Sequence, residues 1–192
     1  MTATTARGPI KALVVVTYIA MVAVNYLANA LPLNGRRTGD VSDAYPSLFT
    51  PAGLTFSIWG VIYLLLALHV LYQLGLFRGG ERSADRDALL NRVGLLFSIS
   101  SLANTAWVFA WHYDIIPLSA VLIVVILVCL ILINNTLRAA GLTGRERWLI
   151  GVPFSVYFGW TTVATIANIT VLLVSLHWNG FGLSESTWAT II

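Results

Sequence analysis

Five long apolar runs account for most of this 192-residue chain. They lie at about 12–31, 54–77, 89–111, 115–137 and 148–176. Apart from Arg92, near the start of the third, none contains an Asp, Glu, Lys or Arg. About 20 residues of helix cross a bilayer core, so each run is long enough to span. A fraction of 58% hydrophobic against 10% charged residues agrees with that. The expected fold is therefore all-α: a polytopic membrane protein built as a five-transmembrane-helix bundle. No polar linker divides it, so residues 1–192 form a single transmembrane helical domain.

Charge gives the expected topology. Nine of the eleven basic residues fall on alternate connections: Arg7 and Lys11, then Arg78, Arg82, Arg86 and Arg92, then Arg138, Arg145 and Arg147. The other side has Arg36 and Arg37, offset by Asp40 and Asp43. Basic residues concentrate on the cytoplasmic side. The expectation is a multi-pass protein of a bacterial inner membrane, with a cytoplasmic N-terminus and the C-terminus outside. The net charge of +3 then reflects topology, and no nucleic-acid partner is expected. The single cysteine, Cys129, lies inside the fourth run and offers neither an intrachain disulfide nor a metal site. Arg7, Lys11 and the small residues Ala28 and Ala30 imitate a cleavable signal sequence. The stretch is longer than a signal core, so it reads as the first span. At the other end, Ser184 or Ser186 can cap a helix. Either a short interfacial turn follows, or the chain is truncated before a sixth helix.

Polar residues inside the runs fall on stripes. Tyr18, Asn25 and Asn29 share one face of the first helix, and Thr55, Trp59 and Tyr63 one face of the second. Ser100, Asn104, Trp107 and Trp111 follow at i, i+4, i+7 and i+11 on the third. On the fifth, Thr161, Thr165 and Asn168 align, with Tyr157 and Trp160 a turn away. The fourth run is almost uniform Val, Ile and Leu, which suits a helix facing lipid or a partner subunit. Any one stripe is what helix packing requires. Four stripes of the same character resemble the wall of a pocket for a flat, mostly apolar ligand. His69 is the one ionisable residue well inside a run. An axial haem ligand or a proton carrier is the functional reading. A neutral histidine bonded to a neighbouring carbonyl, or reaching towards the inner interface, is the simpler account, because a proton path pairs such a residue with others. His112 and His177 are expected to be exposed at helix ends.

The segment Thr50-Pro51-Ala52-Gly53-Leu54-Thr55-Phe56-Ser57-Ile58-Trp59-Gly60-Val61-Ile62-Tyr63 resembles the second-helix signature of the TspO/MBR family. These are the tryptophan-rich sensory proteins and the mitochondrial translocator protein, or peripheral benzodiazepine receptor. Pro51, Trp59 and Tyr63 match that pattern in identity and spacing. Asn104-Thr105-Ala106-Trp107 is similar to its third-helix motif, and Pro153-Phe154 to the start of its fifth helix. The resemblance covers roughly residues 10–178. The chain departs from it at Thr50, where a first proline belongs, and at Gly53, where a tryptophan belongs. Tyr157 holds the tryptophan position of the fifth helix, with Trp160 a turn later, and Asn168 lies a turn beyond the family asparagine. This is a divergent, long-chain branch.

The resemblance implies a membrane-embedded binding protein for a hydrophobic small molecule, a porphyrin, haem-like tetrapyrrole or sterol, acting as sensor or carrier. A homodimer is the partner state common among relatives. No enzymatic activity and no resident cofactor or metal is expected, since no His, Asp or Glu cluster lies within a span (porphyrin or haem enters as ligand). The expected ligand-binding set is Asn25, Asn29, Pro51, Trp59, Tyr63, Asn104, Trp107, Trp111, Tyr157, Trp160 and Asn168. Arg36 and Arg37 would meet propionate carboxylates. Three other classes have less support. A small-molecule transporter, or a fragment of a larger one, lacks an inverted repeat and a membrane carboxylate. An intramembrane enzyme lacks any catalytic cluster. A structural assembly subunit would carry no pigment.

Overall fold

The computed structural model describes residues 7–78 and 83–191. Five helices among them are long and apolar enough to cross a membrane. The first, α1 (Arg7–Ala30), leads into a long loop that carries a short helix α2 (Thr38–Asp43). A 3-10 turn (Gly53–Ser57) then opens α3 (Ile58–Leu74). After that come α4 (Ala84–His112) and α5 (Ile116–Ala139). The last span is assembled from α6 (Gly144–Glu146), a π-helical turn (Arg147–Gly151) and α7 (Val152–Ser175). A final short helix, α8 (Glu185–Ile191), closes the described chain.

Local chemistry sets several boundaries. α4 starts five residues before the apolar run does, because Ser83 caps it: its hydroxyl accepts from Arg86 N at 3.2 Å. Asp85 and Asp87 in the first turn suit the positive end of the helix dipole. Arg86 and Arg92 therefore stand on a helix and not in a loop. α3 stops at Gly75, which takes a left-handed conformation with φ +112°. In the last span Pro153 has no N–H to give the carbonyl four residues back. The helix widens just before it, and Val152 N bonds to Arg147 O across the π turn.

The spans form a closed ring in the order α1, α4, α5, α7, α3 and back to α1. α4 and α5 make the broadest contacts, and the α1–α3 seam is the slightest of the five. Small and polar residues let α4 pack closely on its neighbours. Ser98, Ser100, Ser101 and Asn104 are all buried there, and the first three are compact enough to bring helices close. Gly94 marks the tightest approach. A Cβ there would stand 3.0 Å from Gln73 Nε2, 3.0 Å from Val14 Cγ2 and 3.1 Å from Ile10 Cγ2. Gly94→Val should therefore force α1 and α3 away from α4, at about 1–3 kcal/mol. A thermal unfolding midpoint equal to that of the parent protein in detergent would contradict this packing.

The fourth span does not face lipid all round. Ser119, Ile123, Ile126, Leu130 and Ile133 of α5 are buried, and the helix packs between α4 and α7. Its uniform composition hides this, because apolar residues serve equally against protein and against lipid. His69 is fully buried too. Neither ring nitrogen has a hydrogen-bond partner, so the ring neither bonds a carbonyl nor reaches the surface. The ring stands edge-on to Phe154 at 4.7 Å and to Phe97 at 5.5 Å. His112 is buried as well, with Nδ1 2.8 Å from Val108 O, whereas His177 is exposed as expected.

The two ends of the ring differ. At the arginine-rich end Glu146 is buried and gathers three helices. It accepts from Tyr72 Oη at 3.3 Å, from Thr143 N at 2.9 Å and pairs with Arg86 at 3.3 Å. Arg86 also donates to the carbonyls of Ala140 and Gly141. At the long-loop end α2 lies against α4, and Trp111 Nε1 donates to Thr38 O at 3.0 Å.

Candidate functional site

Inside the ring, toward the long-loop end, six aromatic side chains make one nest. Trp59, in the first turn of α3, stacks on Tyr63 one turn later at 5.8 Å. It meets Trp107 of α4 at 6.3 Å, and Tyr157 and Trp160 of α7 at 5.9 and 6.1 Å. Trp107 in turn stacks on Trp111 at 5.5 Å. The i, i+4 spacing of each stacked pair is what places the two rings over one another on a helix face.

The nest divides the space around it into two cavities. A small one of about 20 Å³, enough for roughly one water, is lined by Pro51, Trp59, Trp107, Trp111, Trp160 and Asn168. A large cleft of about 800 Å³ lies on the opposite side of Trp59, along the α1–α3 seam. Asn25, Asn29, Trp59 and Tyr63 line it, with Tyr18 and Gly60. Its rim includes Tyr26 and Leu64, which are 70% and 73% exposed on the bundle surface. Trp59 and Phe56 line both cavities.

Two of the expected site residues line neither cavity but support the nest. Asn104 Oδ1 accepts from Asn25 Nδ2 at 2.7 Å, joining α4 to α1 under the cleft. Tyr157 is fully buried against Trp59. Asn29 turns toward the loop, where its Oδ1 accepts from Thr38 N at 3.3 Å. Asn168 is tied to Ser119 of α5 at 3.1 Å. Arg36 is paired with Asp114, while Arg37 is exposed beside the mouth. Tyr45, whose hydroxyl lies 3.5 Å from Asp114 Oδ1, has its pKa raised above the ordinary value, by burial first and by Asp114 next, against Arg36. The sequence reading passed over Phe56 and Gly60. Their signal was present: Phe56 precedes Trp59 by three residues, and Gly60 opens the surface between Trp59 and Leu64.

The nest is short of hydrogen-bond partners. Tyr63 Oη, Asn104 Nδ2, Trp107 Nε1, Trp160 Nε1 and Thr161 Oγ1 are buried without one. Tyr157 Oη faces Asn104 but makes no bond of ordinary geometry. Indole N–H groups only donate, and so does an amide NH₂. A buried donor left unmet costs about 1–3 kcal/mol. The arrangement is thus a stack of π-faces with an excess of donors. Among the described residues no group of three His, Cys, Asp or Glu side chains stands together as a metal site.

A model of the TSPO-like protein family matches residues 11–192, while no curated protein and no solved structure matches. The match takes in all five spans, the aromatic nest and the tail, and the chain belongs to the TSPO-like protein family.

Proposed function

We propose that this membrane protein binds a planar hydrophobic ligand with acceptor groups, such as a porphyrin, and serves as a sensor or carrier and not as an enzyme. One observation carries the reading. A cleft of about 800 Å³ borders a nest of aromatic rings whose buried donors have no partner. The volume falls in the usual range for small-molecule sites. A flat ligand entering between α1 and α3 would lie on Trp59 and Tyr63, and its nitrogen or carboxylate acceptors would meet Tyr63 Oη, the unmet donor on the lining of the cleft. Arg37, exposed near the mouth, supplies a charge-assisted contact for a carboxylate.

Quenching of tryptophan fluorescence by a titrated porphyrin tests this in the purified protein. Saturable binding is expected. Asn104→Ala releases Asn25, which it holds on the wall of the cleft, and should weaken binding about tenfold, since a polar contact of this kind contributes about 1–3 kcal/mol. The same change should cost little stability, because interhelical hydrogen bonds in membranes average about 0.6 kcal/mol. Non-saturable quenching in the parent protein, or equal affinity in the variant, would sink the reading.

We also propose that the arginine-rich end is cytoplasmic. In a Cys129→Ala background, Asp43→Cys should react with an impermeant maleimide in intact cells and Asp85→Cys should not. Both positions are exposed. The reverse pattern would invert the topology.

A further inference from the structure

A separate cavity of about 390 Å³ lies at the long-loop end, away from the nest. The end of α7, the loop at 47–49 and the tail enclose it. Trp178 and Trp188 both line it, their rings 5.3 Å apart at 53°. Each is held in place. Trp188 Nε1 donates to Gly180 O at 3.0 Å, and Phe181 braces Trp178 edge-on at 5.1 Å. Gly180 makes this bend with φ +62°, and a Cβ there would stand 3.3 Å from Trp188 Nε1. Phe49 adds a third aromatic wall.

The polar lining is one-sided in charge. Glu185 lines the cavity, and no Lys or Arg does. Among the described residues Glu185 has no ion-pair or hydrogen-bond partner. The C-terminal end of α7, which carries partial negative charge, borders the same space through Thr170 and Val174. A first-turn acid suits the dipole of α8 as well, but that does not call for two braced tryptophans side by side on a cavity wall. Indole faces beside a carboxylate, without a competing cation, match the chemistry that recognises alkylated ammonium groups.

We propose that this cavity binds an alkylated ammonium group against the paired rings of Trp178 and Trp188, with Glu185 as its counter-ion. The group is either a free organic cation or the choline of a phosphocholine lipid headgroup. This assignment stands apart from the aromatic nest, so either can fail without the other.

Equilibrium dialysis of labelled choline against the full chain in a maltoside detergent tests it, with sodium chloride matching the ionic strength. Saturable binding is expected. Glu185→Gln and Trp188→Leu should each weaken it at least fivefold, while porphyrin titration of the same variants stays at the parent value. Glu185 is exposed, so its variant should fold, and circular dichroism checks both. Competition by dihexanoylphosphatidylcholine below its micellar concentration, but not by the phosphatidylglycerol analogue, identifies a lipid headgroup. Competition by neither, with choline still bound, identifies a free cation. Competition by both means that an acyl chain fills the cavity and overturns the assignment. So does choline retention in the folded Glu185→Gln protein equal to that of the parent.

Discussion

Trp59→Ala should weaken porphyrin binding by tenfold or more, the largest loss expected for any single substitution in the nest. Trp59 touches four other rings and walls both cavities. Its loss removes the surface on which a flat ligand would lie. An aromatic pair contributes about 0.5–1.5 kcal/mol beyond the area it buries, and 1.4 kcal/mol corresponds to about tenfold in affinity. Trp59→Phe keeps a ring and should recover part of the loss. Trp148→Ala, on an exposed position far from the nest, should change nothing. The titration that reads these affinities also judges the placement. If folded Trp59→Ala binds as tightly as the parent protein, the ligand does not rest on this ring.

The second large effect concerns stability. Glu146→Ala should lower the unfolding midpoint more than any exposed substitution at the arginine-rich end. It strands Tyr72 Oη, Thr143 N and one contact of Arg86 at the same time. A fully buried pair broken on one side costs about 3–5 kcal/mol. Arg86 is 28% exposed and water can reach it, so about 1–3 kcal/mol is the better figure. Glu146→Gln keeps one acceptor and should fall between the two. Thermal unfolding in detergent, followed by circular dichroism, measures the difference. Equal midpoints for parent and Ala variant would show that the three helices do not depend on this carboxylate.

Much of this architecture was legible in the residues. Five spans followed from run length, because lipid admits few alternatives to a helix for a long apolar segment. The stripes on four helices identified faces that do converge: Asn25 of the first meets Asn104 of the third, and Trp59 of the second meets Trp107 and Trp160. Periodicity gives the face of a helix but not the partner across from it. It could not show that the rings stack on each other and leave the larger space on the α1 side. Nor could it show that α5 is clasped between two helices, since Ile123 against protein reads the same as Ile131 against lipid. α2 stayed hidden because six residues carry too little pattern. The buried state of His112 depends on the loop that folds over it: Asn34 Nδ2 donates to His112 O at 2.9 Å across 78 positions of sequence.

The slight α1–α3 seam has a consequence for how affinity is expressed. The cleft opens where Tyr26 and Leu64 face outward, on two helices long and apolar enough to cross a membrane. On the proposed entry from the bilayer, a ligand arriving there would already have left water. The relevant concentration is then its mole fraction in the bilayer, and hydrophobic partitioning is complete before the protein is met. Adding protein-free vesicles at constant total ligand would dilute it and raise the apparent dissociation constant in proportion to lipid volume. Two ligands with equal contacts in the cleft would differ in apparent potency by the ratio of their partition coefficients. Selectivity judged from aqueous titrations would therefore report the membrane as much as the protein.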